Sequence, residues 1–201
     1  MIARTSVLGA AFALGLAGCG WYTNFPAAID VVSVEPSTVA VEYLHSKPDG
    51  PIKGITAKYT NPTITLAGKP GSIGATFRTM NIVYYATGQG VAGGVIPDIN
   101  GGKALVVKSL VRVDSSAMRE DYEKGFQEMD PAEFPKKRLI IGQAKFVAPV
   151  VSNDVLALAA PGASTRPTMI WAHIVLEGDD DARWPYTKEV MVPITFADTV
   201  Q

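Results

Sequence analysis

Over short stretches of this chain apolar residues alternate with polar ones, and turn-forming residues separate each stretch from the next. A period of two belongs to strands with one buried face, so the chain is restricted to a mainly β architecture. Residues 31–34 and 39–44 flank the turn cluster Glu35-Pro36-Ser37. Ile55, Ala57 and Tyr59 alternate with Thr56, Lys58 and Thr60, and Ile64 and Leu66 resume the pattern beyond Asn61-Pro62. Residues 75–87 are a long run of β-formers, and residues 88–102 read as a loop in which Asn100-Gly101 is the strongest hairpin dipeptide. In 105–113, Leu105, Val107 and Val111 share one face while Lys108 and Arg112 share the other. Residues 139–151 read as one strand bent near Gly142 or Pro149, followed by a short segment at 153–159. Residues 168–177 are strongly apolar around Trp171, with His173 on the face of Met169 and Trp171 and opposite Ile170 and Ile174. The last strand, 186–197, turns Val190, Val192, Ile194 and Phe196 inward. Pro193 offers no N–H to a ladder, which predicts that this strand lies at an edge or bulges there.

One segment departs from period two. Met118, Tyr122, Phe126 and Met129 recur at helical steps, with Ser115 and Ser116 as N-cap residues before them and Asp130-Pro131 after them. This spacing predicts a short crossover helix over about 115–129, lying on the sheet layers.

The N-terminus carries a different signal. Arg4 precedes an apolar run from Val7 to Leu16. At about ten residues the run is too short to span the hydrocarbon core of a bilayer, and it suits the apolar part of a signal peptide. It ends in Leu16-Ala17-Gly18-Cys19, which resembles the lipobox of bacterial lipoproteins. The resemblance implies cleavage before Cys19, acylation of its thiol, and a membrane partner reached through the N-terminal lipid. Residue 20 is Gly and not Asp, which by resemblance to enteric lipoproteins implies the outer membrane. The expected organisation is a leader at 1–18, a lipidated tether at 19–28 and a single β domain at 29–201. Trp21, Tyr22 and Phe25 follow the anchor; they suit either the headgroup layer or the lower edge of the domain.

Eight to ten short strands with one helix read as a β-sandwich. The segment 174–196, two apolar strands joined by Gly178-Asp179-Asp180-Asp181-Ala182-Arg183, resembles the last hairpin of immunoglobulin-like and fibronectin type III-like domains. The resemblance implies an immunoglobulin-like antiparallel sandwich. The chain has one Cys, Cys19, so the paired cysteines of antibody domains are absent, and an exported domain of this kind is held by its core and not by a disulfide. Apolar residues make up 47% and charged residues 18%, enough to build such a core.

The formal net charge is −1, and loss of Arg4 with the leader makes it more negative. Lys136-Lys137-Arg138 is the one basic cluster, so nucleic acid is not an expected partner. Gly88-Gln89-Gly90-Val91-Ala92-Gly93 matches G-x-G-x-x-G in letters, but Pro97 and Asn100-Gly101-Gly102 follow where a dinucleotide site needs a helix. Asp179, Asp180 and Asp181 are the densest carboxylates, the candidate ligands for Ca²⁺, with a solvated hairpin turn salt-bridged by Arg183 as the alternative. His45 and His173 would have to meet to hold a metal together. No G-x-S-x-G elbow occurs and the lone Cys is assigned to lipid, so no catalytic residue and no cofactor is expected. The expected function is a non-catalytic, lipid-anchored envelope protein acting as a structural or accessory subunit on other envelope proteins. The alternatives are a small-molecule or glycan binder using the 88–102 loop and Tyr84, Tyr85, Trp171, Trp184 and Tyr186, and a metal protein or enzyme.

Overall fold

The structure, a computed structural model, describes residues 27–45, 56–87, 94–120, 137–161, 163 and 166–200. Along them run β1 (Ile29–Glu35), β2 (Val39–His45), β3 (Ala57–Lys58), β4 (Thr63–Gly68), β5 (Ala75–Tyr85), β6 (Leu105–Val113), β7 (Ala117–Glu120), β8 (Lys137–Ile140), β9 (Gln143–Val147), α1 (Asn153–Leu158), β10 (Met169–Asp180) and β11 (Pro185–Val200). The protein is mainly β. One sheet has the order β1-β4-β9, the second β3-β2-β11-β10-β5-β6, and β7 and β8 form a separate ribbon. Neighbours are antiparallel except β2 and β11, which run parallel from Ile194↔Val39 to Val200↔His45.

The two larger sheets share one core. Ile64 and Leu66 of β4 meet the inward rows of the six-stranded sheet, including Val41, Phe77, Ile82, Ile174, Val192 and Ile194, all 0% exposed. Each such side chain contributes roughly 1.5–3 kcal/mol of burial, which is how a domain without a disulfide is stabilised. Phe196 packs against this core from the same strand face, as the alternation predicts.

Two glycines mark where backbones approach too closely for a side chain. Between β5 and β10 the register shifts at Glu177/Gly178, leaving Arg78 as the extra residue of a bulge. A Cβ on Gly178 would stand 2.0 Å from the Thr76 carbonyl oxygen. At Gly142 the corresponding distance to the Asp114 carbonyl oxygen is 1.7 Å. Gly142 is also where the predicted strand over 139–151 breaks into β8 and β9.

Four expectations are corrected. The helix predicted over 115–129 is not a helix where it is described: residues 117–120 are β7, paired with β8 through Met118↔Leu139. Ser116 does not cap a helix; its Oγ donates to the Gly68 carbonyl and accepts from the Gly142 N–H, both at 3.1 Å. Long-range pairing has overridden a local helical period there, and residues 121–136 lie outside the described residues. Second, the one helix was expected at about 115–129, yet the short segment 153–159 contains a helix, α1, capped by Ser152, whose Oγ accepts from Val155 N–H. Third, β11 is an inner strand, between β2 and β10. Pro193 pairs with Trp171 of β10 but precedes Ile194, where β2 pairing begins. The missing N–H therefore falls where β11 has a neighbour on one side only. Fourth, Asn100-Gly101 does not make a two-residue hairpin. Both residues do have positive φ (50° and 62°), but they form a 3-10 turn within a longer connection from β5 to β6.

Candidate interaction face

Strict alternation in β10 buries Ile170, Ala172, Ile174 and Leu176 completely. It therefore turns Met169, Trp171, His173 and Val175 to the outer side of the six-stranded sheet. Cross-strand register builds these into a band. Trp171 lies between Tyr85 of β5 and Pro193 of β11, His173 between Val83 and Met191, and Val175 between Asn81 and Glu189. Trp171, His173, Val83, Met191 and Pro193 are half-buried among one another, and Met169 at the margin is 40% exposed. One polar pair sits in this apolar surface: His173 Nε2 lies 3.1 Å from Glu189 Oε2, and the imidazole tilts against the Tyr85 ring with centroids 6.0 Å apart. The face offers aromatic and thioether contact area around one ionisable pair, a composition suited to binding another protein.

The other sequence candidates separate. Asp179 reaches the bulged Arg78, with Nε 3.6 Å away. Asp180 is 5% exposed and its Oδ1 accepts from the N–H groups of Ala182 and Trp184, both at 2.9 Å. Asp181 takes a two-pronged ion pair from Arg112 and accepts from Gly74 N–H at 3.1 Å. That guanidinium holds the Asp181 carboxyl below the ordinary carboxylate range. Three adjacent carboxylates thus serve three different donors, and the ion-pair partners are Arg78 and Arg112 where the sequence pointed to Arg183. No group of three or more His, Cys, Asp or Glu that could hold a metal occurs among the described residues. His45 pairs with Val200 and His173 with Met191, nine steps apart along β11, or about 30 Å at strand rise, so the two histidines do not meet.

The aromatics considered for glycan binding do not converge either. Tyr84 is buried, its hydroxyl donating to the Val150 carbonyl at 2.9 Å. Tyr186 Oη accepts from Ile29 N–H at 3.0 Å, and its ring lies 5.9 Å from Phe77. Trp171 is on the outer face, and Trp184 stands 70% exposed on the β10–β11 turn. A groove of about 230 Å³ beside β2, lined by Pro36, Thr38, Glu42, Lys58 and Tyr59 among others, contains none of them. In the 88–102 loop, Asn100 is tied down: its N–H donates to Asp154 Oδ2 at 2.9 Å and its amide donates to the Ala104 carbonyl at 3.0 Å. Cys19, residues 88–93, and Tyr122, Phe126 and Met129 lie outside the described residues.

A scan against protein-family models and searches of curated proteins and of solved structures found no match to this chain.

Sequence reasoning placed His173 and Trp171 on one face but did not find Met191, Val83 and Pro193 beside them. The available signal was alternation in the neighbouring strands; what was missing was the order of those strands.

Proposed function

We propose that this chain is a non-catalytic, lipid-anchored protein of the bacterial cell envelope. It serves as a structural or accessory subunit, and the outer face of the six-stranded sheet binds another envelope protein. The observation that carries this reading is the band Trp171–His173–Met191, an apolar outer surface on a sheet whose inner surface already fills the core. The Leu16-Ala17-Gly18-Cys19 sequence supports anchoring by acylation at Cys19, and Gly20 supports the outer membrane. We also infer that the fold is immunoglobulin-like: two facing sheets with mostly antiparallel neighbours and a central terminal hairpin support it.

The test is photo-cross-linking on intact cells with a photoreactive residue at Met191 and, as control, at Lys145 on the outer side of the other sheet. The expected outcome is a discrete higher-mass adduct from position 191 and none from 145. Recovery of uncross-linked monomer alone from position 191 would overturn the docking role. Metabolic labelling with a fatty-acid analogue tests the anchor separately, and an unlabelled protein would refute it.

A further inference from the structure

We propose that the end of the domain from which the tether leaves rests in the lipid–water interface, with Trp184 as an indole anchor in the headgroup layer. This deepens the reading above and rests on acylation at Cys19.

The place where the chain enters the fold is fixed by three hydrogen bonds. Ala28 N–H donates to Ser72 Oγ at 2.8 Å, Ile29 N–H to Tyr186 Oη at 3.0 Å, and Lys69 N–H to the Ala28 carbonyl at 2.7 Å. Register puts the start of β1 beside the end of β4, and the start of β5 beside the ends of β6 and β10. The β10–β11 turn therefore lies at the same end as Ala28. Cys19 precedes Ala27 by eight residues, which span at most about 28 Å when fully extended. β11, running from this end to the other, covers Pro185–Val200, or about 50 Å at strand rise. The tether is shorter than the domain, so an acylated Cys19 keeps this end near the bilayer.

That end displays an indole on a rigid support. Asp180 is buried and accepts from two N–H groups of the turn, Asp180 N–H donates to the Trp184 carbonyl at 2.9 Å, and Asp181 N–H donates to the Gly74 carbonyl at 3.0 Å. Arg183, with a φ of 66°, is exposed beside Trp184. A large apolar ring carried on a backbone already held in place has no main-chain freedom left to lose when it enters an interface, where tryptophan is favoured. An adjacent arginine suits anionic headgroups. Ile141, 41% exposed, lies at the same end, between β8 and β9. The exposed carboxylates near this end have cationic partners that weaken their repulsion of anionic lipid: Asp30 pairs with Lys69 and Lys188, Asp179 with Arg78, and Asp114 and Asp181 share Arg112, while Asp180 is buried. A protein surface would accept Trp184 as well; the short distance to the acyl chains selects lipid.

The chain has three tryptophans, so Trp21→Phe with Trp171→Phe leaves Trp184 as the sole indole. The mature protein, its acylation verified by mass, is reconstituted into phosphatidylethanolamine–phosphatidylglycerol vesicles with and without brominated acyl chains. The expected result is a blue-shifted emission and about a twofold loss of intensity with brominated lipid. Trp184→Cys carrying a nitroxide gives an independent depth reading should the double variant misfold, because acylated Cys19 has no free thiol. Acylated protein with Trp184 unquenched and the nitroxide in water overturns this inference and leaves the lipid anchor standing. Protection of Trp184 in native membranes but not in pure lipid vesicles assigns the residue to a protein partner and also overturns it. A protein without acyl chains defeats both this inference and the anchor.

Discussion

The two ends of the sandwich are closed by different means. At the tether end the loops are held by polar atoms: Ser116 joins the Gly68 carbonyl to the Gly142 N–H, Asp180 gathers the turn before Trp184, and Arg112 clamps Asp181. At the opposite end Ile99, Val155 and Val150 are buried, and Tyr84 and Tyr43 extend hydroxyls to the carbonyls of Val150 and Leu156. Arg166 lies over the Tyr43 ring, 5.2 Å from its centroid, and pairs with Asp198. Directional bonds fix the shape of the loops at the tether end; apolar side chains close the opposite end. An end built the first way can present an exposed indole from a restrained backbone, while an end built the second way chiefly contributes stability.

The sharpest test of that contrast is Ile99→Ala at the apolar end. Emptying a site that is 1% exposed is expected to cost about 2–5 kcal/mol, read as a lower urea midpoint with the slope unchanged. Ser116→Ala at the tether end leaves a buried carbonyl and N–H without their shared partner, for about 1–3 kcal/mol. If Ser116→Ala cost more than Ile99→Ala, the assignment of stability to the apolar end would be wrong. Tyr84→Phe strands the Val150 carbonyl, at about 1–2 kcal/mol near neutral pH.

Tyr84 also separates the ends by pH. Burial pushes its phenol up to about 12, against about 10 in an unfolded chain. The folded state thus keeps a proton that the unfolded state loses, so stability declines as pH rises from about 10 toward 12. Urea titrations across that range should show the alkaline decline in the wild type and a shallower one in Tyr84→Phe. The smallest effect belongs to Arg112→Gln. Its pair with Asp181 is partly exposed, 42% and 37% at the two side chains, and is worth about 0–1 kcal/mol. Because Arg112 lowers the Asp181 pKa, that contribution is present above the unfolded carboxylate value of about 4 and is lost as pH falls through the depressed folded value. An acid limb unchanged by the substitution would break the account of the tether end.

Legibility in the sequence followed the range of the interaction. The alternation in 105–113 and 168–177 was readable because period two is local, and the inward rows of β10 and β11 follow from it. Met118, Tyr122 and Phe126 make an equally local helical pattern, yet residues 117–120 pair with Lys137–Ile140. α1 was missed although Ser152, Asn153 and Asp154 mark a helix start, because six residues are too few to show a period. Of the candidate face, Trp171 and His173 were visible; Met191 and Val83 joined them only through strand order.

By itself, the sequence determined that short half-buried strands would dominate, and it set which side chains of each strand share a side. It also supplied the one thiol, at Cys19, on which the expectation of a lipid anchor rests. Tertiary structure decided which strands are neighbours, that β11 lies inside the sheet with Pro193 at the limit of β2 pairing, and that the three aspartates of the last turn serve three separate donors. The division has a physical cause. Alternation and turn chemistry act over a few residues, whereas neighbour order is chosen by burying surface between segments far apart in the chain, and no local pattern encodes that choice.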